Sequence, residues 1–215
     1  FRQKKKAIEI NSPSILENKL SLEISFEEIY NKYAALHHEF AKVWCISFGI
    51  VKLDGSFEIN TIQNDNEKEL LTDWSKVCEH FSNLNLCGYN IGGYDIPLIL
   101  KRMWVNGILE YSKQFQLKDA KPWTTSFVDL MVDWKNIGWE ATSLAVICEI
   151  LGVNTPKDKF NNYEFTTLLL NGKITVGDGI EYCEKDVRAL MECCFKLSSP
   201  NSNFLPETTK KVWKK

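Results

Sequence analysis

The segment KVWCISFGIVKLDGSFEINTI, residues 42–62, constrains the fold more than any other. Val43 to Val51 is apolar enough to read as a mostly buried strand. Asp54-Gly55 is a strong signal for a two-residue hairpin turn, and Ser56 to Ile62 follows as the return strand. The period then changes. NDNEKELLTDWSKVCEHFSNL puts Leu70, Leu71, Trp74, Val77 and Phe81 on one helical face. Leu86 to Tyr89 reads as a short buried strand. A helix follows from Asp95 through Val105, with Pro97 tolerated in its first turn. Ser126 to Met131 is a further strand candidate. Thr142 and Ser143 precede the apolar helix LAVICEIL, which Gly152 stops. DGIEYCEKDVRALMECCFKL is a long helix with a seam of Cys183, Val187, Leu190, Cys194 and Leu197. Near the start, ISFEEIYNKYAAL has helical spacing, with Ser25 and Glu28 as a capping box. A hairpin followed by strands alternating with helices predicts an α/β chain, a mixed β-sheet flanked by α-helices.

Composition narrows the class. The chain has 215 residues, 44% hydrophobic and 25% charged, which suits a soluble globular protein. Its net charge of -2 gives no global basic field, so a nucleic-acid enzyme would need a local basic patch. Seven cysteines without CxxC spacing, and only three histidines, argue against zinc and against a disulfide framework. Reduced, buried thiols point to the cytoplasm, or to host cytoplasm for a viral chain. No apolar run reaches transmembrane length, so no membrane partner is expected. The KKVWKK end reads as part of a basic, poorly ordered tail over residues 201–215. Residues 1–200 read as a single domain.

Two short segments carry the chemistry. Tyr182 and Asp186 stand four apart on the last helix and share a face. Alone, a tyrosine and a solvated aspartate at that spacing are ordinary. LCGYNIGGYDIPLIL, residues 86–100, sets Asp95 between a strand and a helix. Gly92 and Gly93 permit a tight turn or the close approach of a ligand. Asp95 there is either a helix N-cap or a carboxylate projecting into a cleft.

Taken together, N-x3-[FY]-D before an apolar helix and YCEKD resemble the second and third motifs of the proofreading 3′–5′ exonuclease domain of family B DNA polymerases. FVDLMVDWKNIGWEATSLAVICEILGVNTPKDKF and AALHHEFAKVWCISFGIV resemble the flanks of related stand-alone exonucleases. The resemblance covers about residues 25–197. It implies a DEDD exonuclease with a ribonuclease H-like fold, a hydrolase of phosphodiester bonds acting in DNA replication or repair. Two divalent cations, Mg²⁺ or Mn²⁺, would clamp the scissile phosphate. Asp95 and Asp186 would be catalytic metal ligands, and Tyr182 would orient the attacking water. Asn90, Tyr94 and Asp129 would bind substrate, although Asp129 reads better as the cap of the next helix. The partners implied are a single-stranded DNA or RNA 3′ end and a polymerase or other replication protein. The histidine subtype would carry its histidine at the position of Glu181, so Tyr182 marks the tyrosine subtype (DEDDy).

The family's first motif, D-x-E on the central strand, is not evident. Glu9 and Asn11 have similar spacing, but RQKKK stands where an apolar strand should run. The expectation is that this strand lies before Phe1. The alternative is an inactive exonuclease-fold module that binds nucleic acid or a replication partner. Trp123, Trp134 and Trp139 could stack on bases, but seven tryptophans suggest that most are core. Lys157 and Lys159 could meet the phosphate backbone or simply be solvated.

Overall fold

The computed structural model describes residues 37–52, 54–82, 85–109, 127–155, 162–198 and 208–212. Strands β1 (Cys45–Val51) and β2 (Phe57–Gln63) pair antiparallel, from Cys45↔Gln63 to Val51↔Phe57. Their turn is longer than the two residues expected. The Lys52 N–H donates to Ser56 O at 2.9 Å and the Gly55 N–H to Lys52 O at 2.9 Å. Gly55 takes φ +82, but Asp54 is not in that region. The Asp54 carboxylate instead accepts from the Ser56 N–H (2.8 Å) and hydroxyl (2.6 Å). A two-residue type I′ turn needs positive φ at both centres, so the loop widens to one with a single left-handed glycine.

β5 (Thr208–Val212) pairs parallel with β2, from Phe57↔Thr208 to Thr61↔Val212. Residues 208–212, within the expected tail, are thus a strand, because pairing with β2 fixes them. Flanked on both sides, β2 buries Phe57, Ile59, Asn60, Thr61 and Ile62. Helix α1 (Glu67–His80) sets Leu70, Leu71, Trp74 and Val77 into the core as expected.

β3 (Leu86–Gly88) and β4 (Phe127–Asp129) pair parallel in a second, two-stranded sheet. Joining the two would take a strand bonded to both, and there is none among the described residues. α2 (Asp95–Val105) follows β3, and α3 (Leu130–Lys135) follows β4 directly. α4 (Leu144–Leu151) has both expected ends. The Ser143 hydroxyl accepts from the Val146 N–H at 3.4 Å, and Gly152 is left-handed at φ 64. α5 (Asn162–Leu170) is a helix that the sequence reading did not anticipate. The architecture is thus mixed α/β, with small antiparallel and parallel sheets.

α6 (Val176–Ser198) is the longest element. Thr175 and Asp178 form a reciprocal capping box. The Asp178 carboxylate accepts from the Thr175 N–H at 2.8 Å, and the Thr175 hydroxyl accepts from the Asp178 N–H at 3.2 Å. α6 touches β1, β2 and α4. Its most buried positions include Ala189 and Cys193, beside the expected seam, while Leu197 is exposed. No helix among the described residues is long and apolar enough to cross a membrane. The predicted helix capped by Ser25 and Glu28 lies outside the described residues.

An ion pair ties the start of this framework together. Arg102 of α2 binds Glu67 of α1 at 2.6 and 3.0 Å. Glu67 also accepts from the Val43 N–H (2.7 Å) and the Asn106 amide (3.0 Å). Burial pushes the Glu67 carboxyl up. Arg102, the Val43 N–H and Asn106 outweigh it and hold the group below its ordinary value.

Candidate functional site

β3 ends at Gly88, and the chain turns through residues 89–94 before α2 begins. Asn90 adopts a left-handed φ of 54, which asparagine tolerates better than most residues. Its carbonyl accepts from the N–H groups of Gly93 (3.1 Å) and Tyr94 (2.9 Å). The two glycines are needed for packing against protein groups. A Cβ on Gly92 would sit 2.7 Å from the Phe127 ring, and one on Gly93 would sit 2.3 Å from Asn90 Oδ1.

Asp129 holds this turn in place. Buried at the end of β4, it accepts from the N–H groups of Asn90 (2.8 Å), Gly92 (3.3 Å) and Met131 (3.1 Å). Its carboxylate thus caps α3 and pins the turn. Of the two roles open in the sequence, the capping role is the one its bonds serve, and both its oxygens are engaged with backbone. Asp129→Ala would lose the cap and strand partly buried N–H groups. An expected loss of about 2–3 kcal/mol follows, read as a fall in the denaturant midpoint, with Asp129→Asn milder.

Asp95 is not the N-cap of α2. Tyr94 occupies that position and makes no side-chain capping bond, so Asp95 is the first helical residue. There its charge meets the favourable end of the helix dipole. Its carboxyl is nevertheless pushed up to about 6, chiefly by burial. A bond from its own N–H opposes this, and the Asp129 charge adds to it. Asp95 is exposed along part of its surface, so solvent screens this shift and no energy is attached to it. Asp186 on α6 is also pushed up to about 6, by burial and then by the charge of Asp95. Tyr182, one turn earlier, is raised to about 12 by burial, Asp186 and Cys183. The fold therefore brings Asp95, Asp186 and Tyr182 into one electrostatic neighbourhood, with Asp129 beside Asp95. Among the described residues, no three or more His, Cys, Asp or Glu side chains are grouped to hold a metal ion.

Tyr94 sits edge-on to His38, with ring centroids 5.1 Å apart. His38 lies far upstream in the chain and went unassigned in the sequence; only its HH dipeptide hinted at it. Burial and the Lys101 charge lower its pKa, so it is neutral at physiological pH. Glu181, where the histidine subtype would differ, pairs with Lys185 at 3.1 Å on the surface of α6. Trp134 packs on the α4–α6 core, whereas Trp139 is 94% exposed. Among the described tryptophans, Trp74 is buried in the core, whereas Trp104 is exposed like Trp139. Trp123, Lys157, Lys159, Glu9 and Asn11 lie outside the described residues. Searches for related proteins return no match among protein-family models, curated proteins or solved structures.

Proposed function

We propose that the chain is a metal-dependent 3′–5′ exonuclease of the ribonuclease H-like DEDDy class, acting on single-stranded DNA or RNA ends. The observation that carries this reading is that the charge of Asp95, on α2, acts on Asp186, on α6. The Asp95 charge helps to lift Asp186, which leaves an excess of negative charge that a cation would relieve. Hard carboxylate oxygens suit Mg²⁺ or Mn²⁺. Two carboxylates alone hold Mg²⁺ weakly, so the reading requires further acidic ligands, and none is grouped with these two among the described residues. A bound cation would supply Lewis-acid stabilisation and a more acidic water.

The chain's own residues supply positioning. Without metal, burial pushes the Tyr182 hydroxyl up to about 12, so it is protonated and can donate a hydrogen bond that orients water. Tyr94, partly exposed beside Asp95, offers a face on which a terminal base can stack. Asn90, in the same turn, offers an amide to a substrate oxygen.

The test uses 5′-labelled single-stranded DNA and RNA oligonucleotides with Mg²⁺ or Mn²⁺. The expected result is a ladder shortening from the 3′ end with release of nucleoside monophosphates. Binding without metal-dependent shortening would overturn the enzyme reading. It would support the inactive-module reading. Tyr182→Phe should lower kcat about 10- to 100-fold with little change in KM.

A further inference from the structure

All seven cysteines are free thiols, and six stand in close pairs that each include a residue of α6. Cys45 and Cys183 are 3.8 Å apart at sulfur, Cys148 and Cys193 3.6 Å, and Cys87 and Cys194 3.6 Å. The pairs differ in access. Cys148 and Cys193 are both buried, and Cys45 and Cys183 are both half-buried. Only Cys87, in the middle of β3, is exposed.

We propose that Cys87 and Cys194 are a redox-modification site, at which a low-molecular-weight disulfide converts the two thiols into a bond stapling β3 to α6. Closing the sulfurs from 3.6 Å to the roughly 2.05 Å of a disulfide takes about 1.5 Å of movement. The order of attack follows from the environment. A hydrogen bond from Cys194 holds the Cys87 thiol below its ordinary value, against burial and the charges of Asp133 and Asp129. The same contact and burial push Cys194 up. Cys87 is therefore the attacking thiolate and Cys194 the resolving thiol.

The chemistry balances. Cys87 loses its proton to solvent and attacks one sulfur of the small disulfide. That S–S bond breaks, one small thiol leaves, and a mixed disulfide remains on Cys87. Cys194 then loses its proton and attacks the Cys87 sulfur, expelling the second small thiol. Two protein thiols are oxidised and one small disulfide is reduced to two thiols. The bond would join positions 107 apart in the chain. It would link the strand feeding the Asp95 turn to the helix carrying Asp186.

The probe is cystamine, whose cationic ends suit the neighbouring Asp129 and Asp133. The folded full chain is treated and mapped by peptide mass spectrometry. The expected product has two thiols fewer, no adduct, and a Cys87–Cys194 cross-linked peptide that dithiothreitol reverses. Cys194→Ser should trap one cysteamine on Cys87, Cys87→Ser should abolish the cross-link, and Cys148→Ser should keep it. The map of the unmutated chain stands even if a variant fails to fold. A persistent adduct on Cys87 in that chain, or first cross-linking of either other pair, would overturn the proposal.

Discussion

On the proposed exonuclease reading, Asp186→Asn is expected to abolish metal-dependent digestion while making the fold more stable. Loss of a metal-holding carboxylate removes several kcal/mol of transition-state stabilisation. At 1.36 kcal/mol per tenfold, about 4 kcal/mol corresponds to roughly a thousandfold loss of rate. The stability gain comes from the raised carboxyl. A group whose folded pKa lies above its unfolded value binds protons more tightly when native. Its stabilising contribution is complete below the unfolded value near 4 and is lost as pH rises through about 6. At pH 7 the ionised side chain is a standing cost, which the neutral amide removes. A shift of about two units sets an upper bound of about 3 kcal/mol. Asp186 is partly exposed, so about 1 kcal/mol is the expected gain, or roughly 2–4 °C in Tm. At pH 4 the gain should vanish. Mn²⁺ should raise the Tm of the unmutated chain but not of the variant. Unchanged digestion by Asp186→Asn, or a lower Tm at pH 7, would sink the assignment of this residue.

The largest loss of stability is expected from Arg102→Ala. Both side chains of the Glu67–Arg102 pair are nearly enclosed, at 9% and 11% exposure. Removing the guanidinium leaves Glu67 charged and buried with only the Val43 N–H and the Asn106 amide as partners. Breaking a buried pair from one side costs about 3–5 kcal/mol, and the lower figure, about 3 kcal/mol, is expected here. That is roughly 10 °C in Tm for a chain of this length. The pH dependence has the opposite sign to that of Asp186. Glu67 is held below its ordinary value, so its contribution is present above the unfolded value and fades as pH falls through the folded one. In Arg102→Ala that acid limb should flatten. Glu67→Gln added to Arg102→Ala should recover part of the loss, because no buried charge then remains. Calorimetric melts at pH 4 and pH 7 check all three outcomes, and a single-variant loss below about 1 kcal/mol would contradict the clamp.

Local elements were legible because local chemistry specifies them. The α4 boundaries follow from Ser143 and Gly152, and the buried face of α1 follows from the spacing of Leu70, Leu71, Trp74 and Val77. The start of α2 at Asp95 also emerged, since two glycines and a proline punctuate the turn and first helical turn there. The Thr175–Asp178 capping box also has a local signal, a threonine three residues before an aspartate. The hairpin failed by a detail of dihedral angle: Asp-Gly favours a tight turn, but Asp54 spends its carboxylate on Ser56.

By itself the sequence determined the hairpin strands, the cores of α1 and α4, the start of α2 and the long α6, and its resemblance to exonuclease motifs singled out Asp95, Tyr182 and Asp186 as a set. Only the tertiary structure decided what those residues meet. It brought the charge of Asp95 to bear on Asp186, set His38 against Tyr94, and spent Asp129 on the backbone of a turn 37–39 residues earlier. It also paired residues 208–212 with β2 and set three cysteine pairs around α6. The physical reason is range. Helical and strand periodicity, caps and turns are set by neighbours within a few positions, whereas pairing, burial and the electric field at a carboxylate depend on residues brought together from across the chain.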